Sequence, residues 1–240
     1  MYVERRKYEM ELDGLVEWLD KHYIIETKSV LNQYNEVCKL VEKCNMRGKS
    51  EYLEFICDGR EYYSRDFCFD NKFKYWYKIH WDISKAKQII DENKIRIKEI
   101  EITNELISQI DIESLDRNVL KNPSDEPVIV AIYDPINMEV ILDGNHRVYS
   151  AYLRGVRTIK AYILEPKYHL KLMISDVFID IYKIHHNIIV IKNIINGKVN
   201  DIYYSESGYA NSLYRIAQSE VEERLIDKIK TRFKILRFRK

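Results

Sequence analysis

The fold of this chain is decided by the stretch Val140-Ile-Leu-Asp-Gly-Asn-His-Arg-Val-Tyr-Ser-Ala-Tyr-Leu-Arg-Gly155. The stretch begins as an apolar strand, breaks at Asp143-Gly144 and continues as a helix from about Asn145 to Arg154, with Gly155 at the C-cap. One junction thereby places a carboxylate, a glycine, a histidine and an arginine around a helix N-terminus. Because the first N–H groups of a helix have no partner within it and lie at the positive end of its dipole, they bind anions, most often phosphate.

The composition predicts a globular protein with a real core. The chain has 240 residues, of which 46% are hydrophobic, enough for one large domain or two small ones. Lysine and arginine number 39 against 38 acidic residues, which gives a net charge of +1. A chain so balanced has no overall field that attracts nucleic acid or an anionic membrane, so any such partner must bind a local patch.

The cysteines and the apolar runs indicate a reduced, cytoplasmic protein. Cys38, Cys44, Cys57 and Cys68 stand 6, 13 and 11 positions apart, without the close pairs of a zinc site. The N-terminus is charged and leads into no apolar signal region, and the longest apolar runs fall well short of the ~20 residues that a membrane span needs. We therefore predict free thiols and no transmembrane segment.

The first of three predicted regions covers residues 1–94. Apolar residues recur every three or four positions from about Tyr8 to Met46, which predicts two amphipathic helices or one broken helix. Tyr52 to Trp81 is rich in aromatic and β-branched residues and predicts two or three antiparallel strands. A helix over Ser84 to Asn93 follows, with Asp82 or Ser84 as its N-cap.

The second region, residues 95–166, contains the junction between alternating elements. A breaker cluster at 122–127 separates its first half from its second. The predicted elements are a half-buried strand over Ile95 to Ile102, a helix over about Asn104 to Leu120, strands over Val128 to Tyr133 and Met138 to Leu142, and, after the junction helix, a strand over Thr158 to Leu164.

The third region, residues 167–240, predicts a helix, a hairpin and a final helix. The first helix covers Tyr168 to about Phe178. An apolar hairpin is expected over Asn187 to Asn193 and Lys198 to Tyr204, with its turn at Asn196-Gly197. A last helix is expected from about Glu206 to the end of the chain.

The segment from Ile95 to Leu164 resembles the ParB/sulfiredoxin-like superfamily. The matching features are Pro127-Val-Ile-Val, the Asp-Gly-Asn-His-Arg turn, Ala151, the closing Leu153-Arg-Gly and the strand Ile159 to Ile163. The resemblance implies an α+β fold with a ParB/sulfiredoxin-like mixed sheet and helices, here with a helical and β N-terminal region and a C-terminal hairpin and helix. In that superfamily a Gly-x-x-Arg turn holds nucleotide phosphates, and the matching residues are Gly144, Asn145, His146 and Arg147.

The residues within the turn separate the branches of the superfamily. Asn145 occupies the position where sulfiredoxins carry their cysteine, so sulfinic-acid repair is excluded. Partition-type ParB proteins carry a Gly-Glu-Arg-Arg turn and a following helix-turn-helix; here the turn lacks a second arginine, since His146 stands beside Arg147, and no clear helix-turn-helix follows Pro166. The Asp-Gly-x-His-Arg form is closer to the free-serine kinases and to uncharacterised ParB-like proteins.

The kinase-like branch implies specific roles for these residues. Asp143 would act on the substrate hydroxyl or bind Mg²⁺, and His146 would bond a phosphate oxygen or shuttle a proton. A second catalytic acid is expected near the first strand and helix, where Glu101 and Glu105 are the candidates and Glu105 is our choice. The implied cofactors are a nucleotide (ATP, ADP or CTP) and Mg²⁺, with an acceptor that the sequence leaves open.

Each of these residues also has a purely structural interpretation. Asp143 is a good helix N-cap, and Gly144 suits a tight turn with positive φ. His146 alone fits a structural histidine, and Arg147 fits a partner for a surface acid. Glu101 and Glu105 fit solvent-facing charges. Only the joint placement of the turn residues favours a phosphate site.

Two other patterns favour structural roles. His185-His186 is expected on a strand or loop with its side chains on opposite faces, which favours a solvated pair over a metal site. Tyr75-Trp76-Tyr77 alternates with nearby lysines, as nucleic-acid platforms do, but core aromatics with surface lysines give the same pattern and are the favoured interpretation.

The C-terminal segment Lys228 to Lys240 carries seven basic residues and no acid. A packed helix with a solvated basic face is favoured, and nucleic-acid binding through this segment is the alternative. The leading prediction is therefore a nucleotide-binding ParB-like protein that transfers or hydrolyses a phosphoryl group. The alternatives are a DNA-associated ParB-like protein, either a nuclease or a nucleotide-gated DNA binder, and a non-catalytic binding module.

Overall fold

The computed structural model describes residues 1–205, 209 and 212–216 and shows an α+β fold, as predicted. The strands are β1 (Tyr2–Lys7), β2 (Met10–Glu11), β3 (Tyr52–Cys57), β4 (Tyr62–Cys68), β5 (Trp76–Asp82), β6 (Ile97–Glu101), β7 (Val128–Tyr133), β8 (Met138–Asp143) and β9 (Thr158–Leu164). The helices are α1 (Leu15–His22), α2 (Lys28–Ser50), α3 (Ile83–Glu92), α4 (Asn104–Ile107), α5 (Arg117–Lys121), α6 (Asn145–Leu153), α7 (Pro166–His169), α8 (Asp176–Ile195) and α9 (Ile202–Ser205).

The junction lies in a mixed four-stranded sheet with the strand order β6-β9-β7-β8. β7 and β8 form an antiparallel hairpin, the chain crosses over through α6, and β9 then pairs parallel to β7. β6 completes the sheet antiparallel to β9. The strands and the helix predicted around the junction are thus confirmed, and the crossover places the start of α6 at one end of β8.

The two faces of this sheet bury separate hydrophobic clusters. Successive residues of β7 alternate between them, because side chains along a strand point to opposite faces: Ile129, Ala131 and Tyr133 enter the larger cluster, and Val128 and Val130 the smaller. The larger cluster joins the N-terminal region, the sheet and α8, so one core runs through residues from all three predicted regions. The smaller cluster lies between the sheet and α4, α5 and α6.

The N-terminal region contains two strands that the sequence did not indicate. β1 pairs antiparallel with β3, and β5 lies between β2 and β4. β1 is exposed along almost all of its length, so it has no apolar face and produces no alternating pattern. The helices α1, α2 and α3 and the strands after Tyr52 are confirmed, and Asp82 caps α3 by accepting a hydrogen bond from the Lys85 N–H.

The predicted hairpin after residue 186 is wrong, because Asn187 to Asn193 lie within the long helix α8 and Lys198 to Tyr204 contain the short helix α9. The run Asn187-Ile-Ile-Val-Ile suggested a strand through its β-branched content, but α8 packs between α2 and the sheet. A helix buried on most of its circumference is hydrophobic almost all round and shows little periodicity. Asn196-Gly197 ends the helix: the Gly197 N–H donates to the Ile194 carbonyl.

Two predicted helices are also shorter or broken. The helix predicted from Tyr168 to Phe178 is α7 followed by a 3₁₀ turn, and α8 begins only at Asp176. The helix predicted over Asn104 to Leu120 is divided into α4, a 3₁₀ turn and α5. Each piece starts at a side-chain cap, because Thr103, Asp111 and Asp116 accept hydrogen bonds from backbone N–H groups two or three residues on.

Most of the predicted C-terminal helix from Glu206, including Lys228 to Lys240, lies outside the described residues. Within the part that is described, no helix has both the length and the apolar character needed to cross a membrane. All four cysteines are free thiols.

Candidate functional site

The turn between β8 and α6 is built around Gly144. This residue has a φ of 104°, and a Cβ atom placed on it would lie 2.6 Å from Val128 Cγ1 and 3.0 Å from Arg147 Nη2. Both the left-handed backbone and the close approach of β7 therefore require glycine. The turn brings the end of β8 and the start of α6 into direct contact with the first residue of β7.

Asp143 and Arg147 form an ion pair across this turn. Arg147 Nη2 donates to Asp143 Oδ2 at 2.8 Å, and the two side chains are 10% and 23% exposed for arginine and aspartate respectively. Arg147 Nη1 also donates to the carbonyls of Glu126 and Pro127, at 2.7 and 2.9 Å. The guanidinium thus joins the strand end, the helix and the loop before β7, and it keeps the carboxylate in one position.

Asp143 does not cap the helix, so that structural interpretation is wrong. Gly144 occupies the N-cap position of α6, and no side chain accepts a capping hydrogen bond there. The first helical bond runs from the Val148 N–H to the Gly144 carbonyl. In the part of the chain that the structure describes, the backbone N–H groups of Asn145, His146 and Arg147 have no acceptor, so three donors at the helix start are available to an anion.

His146 has a structural partner. Its Nε2 accepts a hydrogen bond from the backbone N–H of Asp116 at 2.9 Å, and Asp116 in turn caps α5 through the Asn118 N–H. A neutral imidazole that accepts at Nε2 carries its proton on Nδ1. His146 therefore fastens α5 to α6 and keeps one N–H donor, whereas its Nε2 is not free to act as a base.

Among the described residues, Glu105 and Asp143 share no hydrogen bond and no cavity. Glu101 and Glu105 line a groove of about 880 Å³ together with Met138 and Glu139, which stand at the start of β8. Asp143 is at the other end of the same strand. The assignment of Glu105 as the second catalytic acid therefore stays a prediction.

A smaller cavity lies beside Arg147 and was not anticipated from the sequence. It has a volume of about 370 Å³, and its charged lining residues are Asp125, Glu126, Arg147, Arg154 and Lys160. Arg154 and Lys160 are exposed. For Arg154, the only sequence signal was its place in the Leu153-Arg-Gly part of the superfamily pattern. For Lys160 there was none, because the pairing of β9 with β7 is what brings this residue to the cavity.

Comparison of the chain with protein-family models, with curated proteins and with solved structures gives no match. The order of strands around the turn is observed here, but the ParB/sulfiredoxin-like fold itself stays a prediction that rests on the residues of the turn.

Among the described residues, no group of three or more His, Cys, Asp or Glu side chains is arranged to hold a metal ion. Asp143 stands as a single carboxylate, with Oδ2 bonded to Arg147 and no partner for Oδ1 in the described part of the chain. One carboxylate is compatible with Mg²⁺, which is usually bound through one or two carboxylates together with phosphate oxygens and water.

The prediction of a solvated histidine pair is wrong. His185 is buried on α8 with Nδ1 2.6 Å from the Tyr77 hydroxyl, and burial lowers its pKa to about 3. His186 stacks on Tyr214 with ring centroids 3.6 Å apart, and burial lowers its pKa to about 4. Tyr75 and Tyr77 are also buried, which confirms the interpretation of that aromatic run as core.

Proposed function

We propose that this protein binds a nucleoside di- or triphosphate at the β8–α6 turn and transfers or hydrolyses a phosphoryl group. The observation that carries the proposal is the start of α6, where three backbone N–H groups have no acceptor among the described residues and lie beside the carboxylate of Asp143. The resemblance of the turn to that of free-serine kinases supports a small molecule with a hydroxyl group as the acceptor, and water in the case of hydrolysis.

The phosphates are held mainly by the backbone. The N–H groups of Asn145, His146 and Arg147 point out of the helix start, and the helix dipole adds favourable charge there. The Nδ1–H of His146 supplies a further donor. The cations of the adjacent cavity, Arg154 and Lys160, compensate the remaining negative charge of a polyphosphate.

Asp143 is the group placed to act on the acceptor. Arg147 holds its Oδ2, which leaves Oδ1 to accept a hydrogen bond from a hydroxyl group or a water molecule and to orient it. Asp143 is also the residue that would hold Mg²⁺, which would supply neutralisation of the charge that develops during transfer. Phosphoryl transfer depends on alignment and charge neutralisation more than on covalent help. The backbone donors, the cations and Asp143 are the kinds of group that this chemistry needs.

The binding step is tested by calorimetry with ATP, ADP and CTP in the presence of Mg²⁺. We expect binding of at least one of them, and we expect Arg147→Ala to weaken it by about tenfold or more, because the loop and Asp143 lose their anchor; a tenfold change is about 1.4 kcal/mol. Arg157→Ala is the matched control, since this exposed arginine lies outside the cavity. If none of the three nucleotides binds, the proposed function is wrong.

The chemical step is tested separately with Asp143→Asn. This variant keeps the shape of the side chain and leaves the backbone donors intact, so nucleotide affinity should change by no more than about threefold. Release of phosphate or labelling of the acceptor should fall by about a hundredfold or more, in the range expected for loss of a proton acceptor. Turnover at the wild-type rate would remove Asp143 from the mechanism.

A further inference from the structure

The groove at the start of β8 is a second cavity, and it shares no lining residue with the cavity beside Arg147. Its volume is about 880 Å³, and its apolar lining includes Leu106, Ile132 and Ile163. Its charged lining consists of one arginine, Arg65, and four glutamates, Glu99, Glu101, Glu105 and Glu139. The groove therefore fits an occupant that is both apolar and positively charged.

Two buried polar atoms in the groove lining lack partners among the described residues. Gln109 Nε2 donates to the carbonyls of Glu105 and Glu139, at 3.2 and 2.8 Å, which fixes the orientation of the amide and leaves Oε1 as an acceptor without a donor. Arg65 Nε is a buried donor without an acceptor. An occupant that satisfies both must supply a donor and an acceptor, which a peptide does and a metal ion or a simple amine does not.

Tyr214, near the end of the described residues, contacts the turn that contributes two lining residues to this groove. The Tyr214 hydroxyl donates to the carboxylate of Asp134, and Ile216 is buried in the main core. Ile136 and Asn137, which follow Asp134 by two and three positions, line the groove. Twelve positions separate Ile216 from Lys228, and twelve extended residues span at most about 40 Å. The basic C-terminal segment is therefore tethered within reach of the groove.

We propose that the groove binds the protein's own C-terminal segment, Lys228 to Lys240. The seven basic residues of this segment alternate with apolar ones, including Ile229, Phe233 and Leu236, and match the acidic and apolar lining. Its amides supply both the donor and the acceptor that Gln109 and Arg65 lack. In this arrangement the glutamates of the groove neutralise the positive charge of the segment, which is then not available to bind nucleic acid. This docking is independent of the nucleotide site.

The first test maps the contact in the full-length protein with a zero-length carbodiimide, which joins lysines to carboxylates that touch. Equal amounts of isotopically heavy and light protein are mixed before the reaction. We expect crosslinks from lysines of the 228–240 segment to Glu99, Glu101, Glu105 or Glu139, within chains of one isotope. The absence of such crosslinks overturns the proposal, and mixed heavy–light crosslinks that make up about half of the total, the fraction expected from random pairing, overturn it in favour of docking onto a second copy.

The second test measures how fast trypsin cleaves the 228–240 segment in the full-length protein. Glu99→Gln/Glu101→Gln/Glu139→Gln should accelerate cleavage about tenfold or more at low salt, and raised salt should accelerate it in the wild type, because the attraction is screened. The control is Glu26→Gln/Glu42→Gln/Glu113→Gln, which changes three exposed glutamates outside the groove and should leave the rate unchanged. Equal rates in wild type and both variants overturn the proposal.

Discussion

The cluster around His185 and the turn at Asp143 are both polar, but the fold uses them in opposite ways. In the His185 cluster the Tyr77 hydroxyl bonds to both His185 and the Tyr133 hydroxyl, and all three side chains are buried. Burial raises the pKa of both tyrosines and lowers that of His185, so the whole cluster is uncharged near neutral pH. At the turn, Asp143 and Arg147 form a partly exposed ion pair beside backbone N–H groups that have no acceptor within the described part of the chain.

This difference separates a structural polar cluster from a ligand site. The hydroxyl and imidazole groups of the buried cluster satisfy one another and fix α8 against the sheet, which leaves little capacity for anything else. Gly144 and the hydrogen bonds of Arg147 make the turn rigid, but the backbone N–H groups at the start of α6 have no acceptor among the described residues. Perturbed pKa values often mark functional sites, yet here the largest shifts lie in the core and the candidate site lies elsewhere.

The largest expected effect is acid destabilisation, which tests whether the buried histidines are neutral. Burial lowers the pKa of His185 to about 3 and that of His80, His169 and His186 to about 4, against about 6.5 in an unfolded chain. Below pH 6.5 the unfolded chain binds protons that the native protein does not. The free energy of unfolding is therefore highest above pH 6.5 and falls as the pH drops towards 4, by several kcal/mol in total.

Urea unfolding at pH 7.0, 5.5 and 4.5 measures this dependence. Carboxylates with lowered pKa values, such as Asp176 beside Arg47, contribute mainly below that range, so the loss between pH 6.5 and 4.5 reports on the histidines. Equal midpoints at pH 7.0 and 5.5 would show that the histidines are not held neutral, and the contrast between the two clusters would disappear.

Removal of an aromatic ring from the buried cluster gives the next effect. Tyr133→Ala leaves a cavity between the sheet and α8 and deprives Tyr77 of a hydrogen-bond partner, so we expect a loss of about 4 kcal/mol. Tyr152→Ala is the matched control on α6: that ring is 43% exposed, and its loss should cost less than about 0.5 kcal/mol. Similar losses for the two variants, measured by urea unfolding, would contradict the assignment of Tyr133 to the core.

The smallest effect concerns the backbone of the turn. Gly144→Ala combines a left-handed φ with a clash against Val128, and we expect it to cost about 3 kcal/mol and to abolish nucleotide binding. Gly155→Ala at the other end of α6 has a φ of 73° but open space around the added Cβ, so it should cost about 1 kcal/mol and leave binding intact. Both free energies come from urea unfolding, and calorimetry gives the affinities; equal costs would show that Val128 yields to the added methyl group.

Sequence patterns predicted the elements whose signals are local. The strand Val128–Tyr133 and the helix Asn145–Leu153 appear where the apolar runs and breakers placed them. Predictions failed where burial or side-chain caps override propensity: α8 is a helix despite its β-branched run, and Thr103, Asp111 and Asp116 divide what the apolar spacing suggested was one helix. At the candidate site, the sequence predicted the turn residues, but it did not predict that Arg154 and Lys160 line the adjacent cavity.

The sequence by itself determined the junction: a carboxylate, a turn that only glycine fits, and a helix start with free donors, all set by interactions between residues a few positions apart. Only the tertiary structure decided how this junction is completed. Packing of β7 against Gly144 and the hydrogen bond from the Asp116 N–H to His146 join residues that are distant in the chain. These long-range contacts form because the fold buries both faces of the sheet at the same time. A pattern of neighbouring residues does not predict which distant residues will meet.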